Sequence, residues 1–169
     1  MAVETGIKLA TYFSPDDDTM GAFVECVQSG KKSIYIADFA WHAPKAKDDL
    51  IAKKKAGLDV EVILDATEGG ERYEQAAIEE MREAGIVVWL THSQHGKYMH
   101  HKFMVVDGIC VLSGSWNFSE SASLEDNYFD IIENEQRAAL FMSKWTEIRD
   151  YAKADYMEFN PWAKEASAK

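Results

Sequence analysis

The spacing of apolar residues in the first half of the chain alternates between that of β-strands and that of α-helices. Apolar runs bounded by polar or turn residues predict strands over residues 7–13, 34–41, 60–64 and 86–90. Between them apolar residues recur at helical spacing, and the predicted helices end near Gly30, Gly57 and Gly85. The first helix is expected to begin at Ser14-Pro15, with Ser14 as its N-cap. This alternation is typical of parallel strands covered by helices.

The second half of the chain predicts strands that follow one another directly. Apolar runs over residues 99–106 and 109–115 flank the dipeptide Asp107-Gly108, which is typical of a two-residue hairpin loop. A further strand and a closing helix are expected over residues 127–132 and 136–151. Together the two halves predict an α/β fold with a mixed, mostly parallel sheet flanked by helices.

The composition is that of a globular protein, with 47% apolar and 28% charged residues in a chain of 169. This length suits one hydrophobic core, so we expect one domain over residues 1–152 and a weakly patterned tail over residues 153–169. Residues 1–6 lack the basic and apolar regions of a signal peptide, and no apolar run is long enough to span a bilayer. These features predict a cytoplasmic protein with no membrane partner.

Charge is distributed unevenly along the chain. The formal net charge of −11 argues against a protein that coats nucleic acid nonspecifically, because such a surface would be basic. Residues 92–102 differ from the rest, since they contain four of the five histidines together with Lys97 and Lys102. A local cationic cleft in an acidic protein is compatible with an enzyme that acts on nucleic acid. We expect His95 and Lys97 to contact the substrate at the rim of such a cleft.

One motif of the form H-x-K-x4-D-x6-G-S-x-N occupies residues 100–117 and occurs once in the chain. Its six specified positions are His100, Lys102, Asp107, Gly114, Ser115 and Asn117. If Asp107 and Gly108 are the only loop residues of the hairpin, Lys102 opposes Ser113 and His100 opposes Ser115. Residues directly opposed in a sheet share a face, and so do alternate residues of one strand. The four polar side chains of the motif are therefore expected on one side of the hairpin.

These residue types suit the cleavage of a phosphodiester. An imidazole such as that of His100 can attack phosphorus and form a covalent intermediate. Lys102 supplies a positive charge for the non-bridging phosphate oxygens, and Ser115 and Asn117 add neutral hydrogen-bond donors. Gly114 is expected to let the backbone approach the phosphate closely.

The motif resembles the signature of the phospholipase D superfamily, and all six signature positions match. The chain looks most like the small bacterial endonucleases of that superfamily, which carry one motif per chain. The resemblance implies a phospholipase D/nuclease-like fold, His100 as nucleophile, and phosphate ligation by Lys102, Ser115 and Asn117. It also implies a mainly structural role for Asp107. A downstream carboxylate that orients the histidine is assigned to Asp126, with its neighbour Glu125 as the alternative.

A single motif supplies only one of the two histidines that the reaction needs. In-line displacement at phosphorus needs an attacking group on one side and a proton for the leaving oxygen on the other. One imidazole cannot perform both tasks in the same step. We therefore expect a C2 homodimer in which the two His100 side chains face each other across the axis. One imidazole is then neutral and the other protonated, as in a coupled pair near neutral pH.

The sequence thus predicts a hydrolase, a metal-independent and cofactor-independent phosphodiesterase that cleaves nucleic acid as an endonuclease. DNA is the expected polymer, with RNA as the alternative. A phospholipase D or phosphatidyltransferase-like enzyme is a second interpretation, against which the polar residues 93–98 argue, because a lipid enzyme should have an apolar rim. A module that binds nucleic acid without cleaving it is a third interpretation, against which the complete motif argues.

Overall fold

Seven strands form one mixed sheet that carries helices on both faces. The computed structural model describes residues 7–159; residues 1–6 and the part of the predicted tail from 160 to 169 lie outside it. The strands are β1 Lys8–Ser14, β2 Ser33–Asp38, β3 Asp59–Asp65, β4 Val87–Thr91, β5 Lys102–Val106, β6 Cys110–Gly114 and β7 Asn127–Glu133. The α-helices are α1 Thr19–Ser29, α2 Pro44–Lys55, α3 Arg72–Glu83 and α4 Glu135–Phe159. Short 3₁₀ helices cover Glu68–Gly70 and Ser121–Leu124.

The strand order is β1-β7-β6-β5-β2-β3-β4. Only β2 with β3 and β3 with β4 pair in parallel, whereas the other four neighbouring pairs are antiparallel. The mixed sheet flanked by helices is confirmed, but the expectation that its pairing is mostly parallel is wrong. The reason is that the hairpin β5–β6 lies between β2 and β7, so the second half of the chain pairs antiparallel throughout.

Two apolar clusters cover the two faces of the sheet. The larger one packs α1, α2 and α3 onto one face, with Phe23, Leu50 and Met81 fully buried. The smaller one packs α4 onto the other face, where the Trp145 indole is buried and donates to the carbonyl oxygen of Ile36 at 2.8 Å. Burial of large side chains on both faces is what stabilises a sheet of this kind. No helix within residues 7–159 is long and apolar enough to cross a membrane.

Two predicted helix ends differ from the observed ones. Ser14 does not cap a helix: it is the last residue of β1, and its buried hydroxyl donates to the carbonyl oxygens of Ala122 and Glu125. Helix α1 begins at Thr19, because the Asp18 carboxylate accepts a hydrogen bond from the amide of Gly21 and so caps it. Helix α4 continues to Phe159 instead of ending at residue 151.

The predicted hairpin turn is present, but its register is shifted by one residue. Asp107 and Gly108 have φ angles of 54° and 70°, as a primed two-residue turn requires. Ile109 then forms a bulge, because its carbonyl oxygen accepts the amide of Asn134, and Val106 pairs with Cys110. Phe103, and not Lys102, therefore opposes Ser113. The expected alignment of all four motif side chains along one face of the hairpin is wrong.

The Asp107 carboxylate ties this turn to the start of β2. It accepts hydrogen bonds from the backbone amides of Lys31, Lys32 and Ser33 at distances of 2.7 to 3.2 Å. Partial burial opposes ionisation of Asp107, but the three amides together hold its pKa below the usual value. The motif aspartate thus lies at the end of the sheet away from His100 and joins two neighbouring strands.

Candidate active site

The motif side chains other than Asp107 lie along one edge of the sheet. The carboxyl ends of β2, β3, β4 and β6 meet there, together with the amino ends of the antiparallel strands β5 and β7. Loops at such an edge are the usual position of sites in α/β folds. Chain segments far apart in sequence are brought to this edge by the strand order.

His100 lies just before β5, with its imidazole exposed at this edge. The ammonium of Lys102 lies 3.3 Å from His100 Nδ1 and donates to the backbone carbonyl oxygen of His100 at 3.2 Å. The ring of Phe39, which follows β2, lies 4.4 Å from the imidazole centroid and 5.0 Å from Lys102 Nζ. The structure therefore places the two signature residues of the H-x-K pair in direct contact against one aromatic ring.

The surroundings of this pair favour a neutral imidazole. Partial burial lowers the pKa of His100, and the nearby charge of Lys102 lowers it further, against an opposing effect of Asp65. The Lys102 side chain is itself buried, which lowers its pKa, although the charge of Asp38 opposes this. A neutral imidazole beside an ammonium group is the protonation pattern that a nucleophile and an anion ligand require.

Asp38 is a site residue that the sequence analysis missed. It is the last residue of β2, pairs with Lys102 across the sheet and is completely buried. One carboxylate oxygen accepts the amide of Phe118 at 3.1 Å, and the other has no partner among residues 7–159. Burial raises the pKa of Asp38, although the Phe118 amide and the Lys102 charge oppose this. A lone charged residue in the apolar run of β2 was the signal available in the sequence.

Asp38 also links Lys102 to the second half of the motif. The residue that donates to it, Phe118, directly follows the motif asparagine, Asn117. Asn117 is half-buried and lines a cavity of about 380 Å³ together with Trp41 and His42. Its amide oxygen is buried without a hydrogen-bond partner among the described residues. The buried Asp38 carboxylate thus binds the backbone next to Asn117, and Asp38 also pairs with Lys102 across the sheet.

Ser115 is held at the edge by β7. Its exposed hydroxyl donates to the side-chain oxygen of Asn127 at 2.9 Å and accepts the amide of Tyr128 at 3.2 Å. The chain leaves β6 at Gly114, and the amides of Ser115 and Trp116 both point to the carbonyl oxygen of Tyr128. Trp116, between Ser115 and Asn117, is fully buried and is a core residue.

The structure gives a reason for glycine at position 114 that differs from the one expected from the sequence. A Cβ atom at this position would overlap the carbonyl oxygen of Tyr128 and would lie 2.5 Å from Cα of Phe129. The absence of a side chain therefore allows β6 to lie close against β7. Close approach of a phosphate to Gly114 is not needed to explain the residue.

The two candidate orienting carboxylates lie near Ser115. Asp126 is exposed and lines a groove with Phe13, Ser14 and Tyr128. The Glu125 carboxylate accepts the side-chain amide of Asn127 at 3.3 Å. Within residues 7–159, neither carboxylate forms a hydrogen bond with His100. The orienting role of Asp126 stays a prediction.

The segment before His100 forms a tight turn, and His95 and Lys97 of this segment border two cavities. The amide of Met99 donates to the buried carboxylate of Asp65, the last residue of β3, at 2.7 Å. A cavity of about 200 Å³ next to His100 is lined by His95 and Lys144. Lys97 borders a neighbouring cavity of about 300 Å³. The predicted substrate contacts of His95 and Lys97 stay predictions, and both residues lie beside the site.

Sequence similarity and fold similarity agree on the family. Residues 23–148 match the family described as cardiolipin synthase, PLD-like domain. The chain belongs to the phospholipase D superfamily. Nuc, a phospholipase D family member from Salmonella typhimurium, superposes with a TM-score of 0.78 at 26% identity, over 84% of this chain and 93% of Nuc. NucT from Helicobacter pylori shares the fold, with a TM-score of 0.76 at 17% identity, over 86% of this chain and 97% of NucT.

Curated relatives carry names from lipid chemistry. The chain is 26% identical to the mitochondrial cardiolipin hydrolase of Canis lupus familiaris over 147 residues, which cover 86% of this chain and 53% of that protein. The Xenopus tropicalis protein of the same name is 34% identical over 97 residues, 55% of this chain and 42% of the relative. The chain thus spans about half the length of the curated relatives that it matches.

Proposed function

We propose that this protein is a metal-independent phosphodiesterase that hydrolyses nucleic acid, with DNA as the polymer, through a covalent phosphohistidine. The observation that carries the proposal is the exposed imidazole of His100, 3.3 Å from the buried ammonium of Lys102, at the sheet edge where the other polar motif residues lie. The fold similarity to Nuc supports it. The histidines and lysines of residues 92–102 favour a polyanionic substrate in a chain that is otherwise acidic.

The reaction follows from these groups in two displacements. A ring nitrogen of His100 attacks phosphorus, an N–P bond forms, and the ester bond to the leaving oxygen breaks with transfer of a proton to that oxygen. Water then attacks phosphorus, loses a proton, and displaces His100, which leaves a phosphomonoester. Lys102, Ser115 and Asn117 stabilise the negative charge that develops on the non-bridging oxygens in both steps.

The proton donor of the first step is assigned to a second copy of the chain. His100 is the only histidine in a complete motif, and one imidazole cannot attack phosphorus and protonate the leaving oxygen in the same step. In a C2 dimer with both imidazoles at one phosphate, one carries the proton and its partner is neutral. The protonated imidazole donates its proton to the leaving oxygen. The neutral imidazole that results is the base that accepts a proton from water in the second step.

A phospholipase activity is the second candidate, and a specific observation favours it. Apolar side chains are exposed near Ser115 and Asp126: Leu124, Phe13 and Tyr128 are 82%, 54% and 45% exposed. The sequence argument from the polar residues 93–98 did not include this part of the rim, which other chain segments provide. Several relatives are named cardiolipin hydrolases. A phosphodiester in a lipid headgroup would use the same motif chemistry.

A cleavage assay in excess EDTA tests the proposed function. Labelled single- and double-stranded DNA and RNA are incubated with wild type, His100→Ala and His101→Asn, the last as a matched control because its ring contacts Phe103. We expect DNA cleavage to survive chelation and to fall at least about 1,000-fold in His100→Ala, because the nucleophile is lost. His101→Asn should retain most of the activity.

Two outcomes would contradict the proposal. Cleavage that EDTA abolishes would mean that the reaction needs a metal. Hydrolysis of cardiolipin or phosphatidylcholine vesicles by wild type, with no cleavage of any polymer, would favour the phospholipase instead. In either case the same His100→Ala variant shows whether the measured activity belongs to this site.

A further inference from the structure

Tyr98 is an exposed aromatic residue that the motif chemistry does not use. It lies two residues before His100 and is 56% exposed. Its ring contacts Phe39 edge-on, with 5.5 Å between the ring centroids, and Phe39 in turn contacts His100 at 4.4 Å. The rings of His100, Phe39 and Tyr98 thus form a continuous group, in which Phe39 lies between the other two.

The backbone around Tyr98 is held on both sides, so the ring is presented in a defined position. On one side, Ser93 and Lys97 form a closed turn, in which the amide of Ser93 donates to the carbonyl oxygen of Lys97 at 2.6 Å. On the other side, the amide of Met99 donates to the buried Asp65 carboxylate at 2.7 Å. An aromatic side chain with two soft torsions on an anchored backbone loses little conformational entropy when a ligand packs against it.

Space and charge beside the ring suit a base and its flanking phosphates. Tyr98 lines both the cavity of about 200 Å³ next to His100 and the neighbouring cavity of about 300 Å³. Lys97 lines the second cavity. Lys144 lines the first, where its ammonium is paired with the carboxylate of Glu147 at 2.6 Å. Single-stranded nucleic acid is typically bound in this way, with bases stacked on aromatic rings and the backbone beside cations. The bases of a duplex are already stacked on one another and cannot reach such a ring.

We propose that Tyr98, backed by Phe39, is a stacking subsite for a nucleobase that flanks the scissile phosphate, and that the enzyme therefore prefers single strands. The inference rests on the proposed nuclease function and adds the form of the substrate. Every base has a flat π-face, so the subsite selects unpaired bases without reading their sequence.

The test combines a protein change with a substrate change. Wild type, Tyr98→Ala and Tyr98→Phe are compared on single-stranded DNA dodecamers that are either fully base-bearing or abasic at two adjacent positions, with cleavage mapped bond by bond. Leu9→Ala is the matched control, because Leu9 is 60% exposed but lies at the start of β1, away from Ser14. Melting temperatures of all variants check that the fold is intact.

We expect wild type to cleave bonds next to bases roughly tenfold or more faster than bonds next to abasic positions, since stacking on an aromatic ring contributes about that much. Tyr98→Ala should remove this difference by slowing only the base-bearing substrate. Tyr98→Phe should retain the difference, because the ring remains, and Leu9→Ala should behave as wild type. Duplex DNA should be cut more slowly than single strands by wild type, with little further loss in Tyr98→Ala.

Three results would overturn the inference. Equal cleavage of base-bearing and abasic bonds by wild type would remove the subsite while leaving the nuclease function in place. Equal slowing of both substrates by Tyr98→Ala would mean that Tyr98 only supports the fold of the site. Failure of wild type to cleave any oligonucleotide, together with Tyr98-dependent hydrolysis of cardiolipin vesicles, would reject both proposals and make Tyr98 a membrane contact.

Discussion

At the scale of single residues, the surroundings of His100 favour its neutral form. Partial burial and the positive charge of Lys102 both disfavour the protonated imidazole and so lower the pKa of His100. Lys102 is buried beside the completely buried Asp38, the acidic residue that ends the apolar run of β2. The reactivity of the motif therefore depends on contacts between residues that are more than sixty positions apart.

The contribution of Lys102 can be measured directly on His100. Lys102→Met removes the ammonium charge and keeps most of the buried volume, so the pKa of His100 should rise towards its ordinary value. NMR titration of the His100 ring carbon in wild type and variant measures this shift. Lys97→Met, which removes an exposed lysine from the preceding turn, serves as the control and should leave the titration unchanged. An unchanged or lower pKa in Lys102→Met would exclude the assigned electrostatic effect.

At the scale of elements, helix α3 is connected to the segment after β2 by one buried carboxylate. Glu74 is 6% exposed, and its Oε1 accepts the backbone amide of Trp41 at 2.6 Å. Burial is the main cause that raises the pKa of Glu74 to about 7; the charges of Glu68, Asp65 and Glu71 contribute, and the Trp41 amide opposes them. The ionised form is thus disfavoured in the folded protein relative to the unfolded chain.

This shift predicts how stability depends on pH. Because the folded pKa of about 7 exceeds the ordinary 4.5, Glu74 favours folding at low pH, and that contribution is lost as pH rises through the window between the two values. Glu74→Gln keeps an acceptor for Trp41 and cannot ionise. At pH 8.5 the variant should be about 1–3 kcal/mol more stable than wild type, by urea unfolding. At pH 4.5 this gain should disappear.

Glu79, an exposed carboxylate on the same helix, provides the control for that comparison. Glu79→Gln should change the free energy of unfolding by less than about 0.5 kcal/mol at either pH, as is usual for surface substitutions. A Glu74→Gln variant that is less stable than wild type at pH 8.5 would mean that the carboxylate is stabilising in its charged form. The hydrogen bond to Trp41 would then outweigh the cost of burial.

At the scale of the whole molecule, the sheet brings the motif residues other than Asp107 to one edge. The motif occurs once in the chain and so supplies one imidazole, that of His100. The proposed reaction needs an attacking imidazole and a proton donor on opposite sides of phosphorus. A C2 pair of chains supplies both without any further residue. Oligomeric state and activity are therefore expected to be inseparable in this protein.

Mixed dimers provide the test. Wild-type and His100→Ala chains with different affinity tags are co-expressed, and the heterodimer is isolated through both tags. A shared site that needs both imidazoles predicts less than about 1% of wild-type activity, because each heterodimer lacks one of them. If each chain had an independent site, the heterodimer should keep one half of the wild-type activity. Light scattering during gel filtration establishes the state of each species, and an active wild-type monomer would contradict the dimer.

The order of the elements could be predicted from the sequence because its signals are local. Apolar periodicity and terminal glycines identified the helices that end at Gly30, near Gly57 and near Gly85, and the stripe of α4 that includes Trp145. The pairing of the strands was not predictable in the same way. Whether β5 pairs with β2 or with another strand depends on contacts between distant segments, and the mostly parallel sheet was an incorrect extrapolation from the first half.

By itself the sequence determined the chemistry of this protein: the identity and spacing of the motif from His100 to Asn117 are local, and they specify residue types that suit a phosphodiester. The tertiary structure decided how those residues are arranged. A bulge at Ile109 sets the hairpin register because a distant amide, that of Asn134, binds its carbonyl oxygen. Asp38 and Tyr98 belong to the site edge only because strand pairing and the turn before His100 bring them there. Burial and charge act through space, so their effects appear only once the chain is folded.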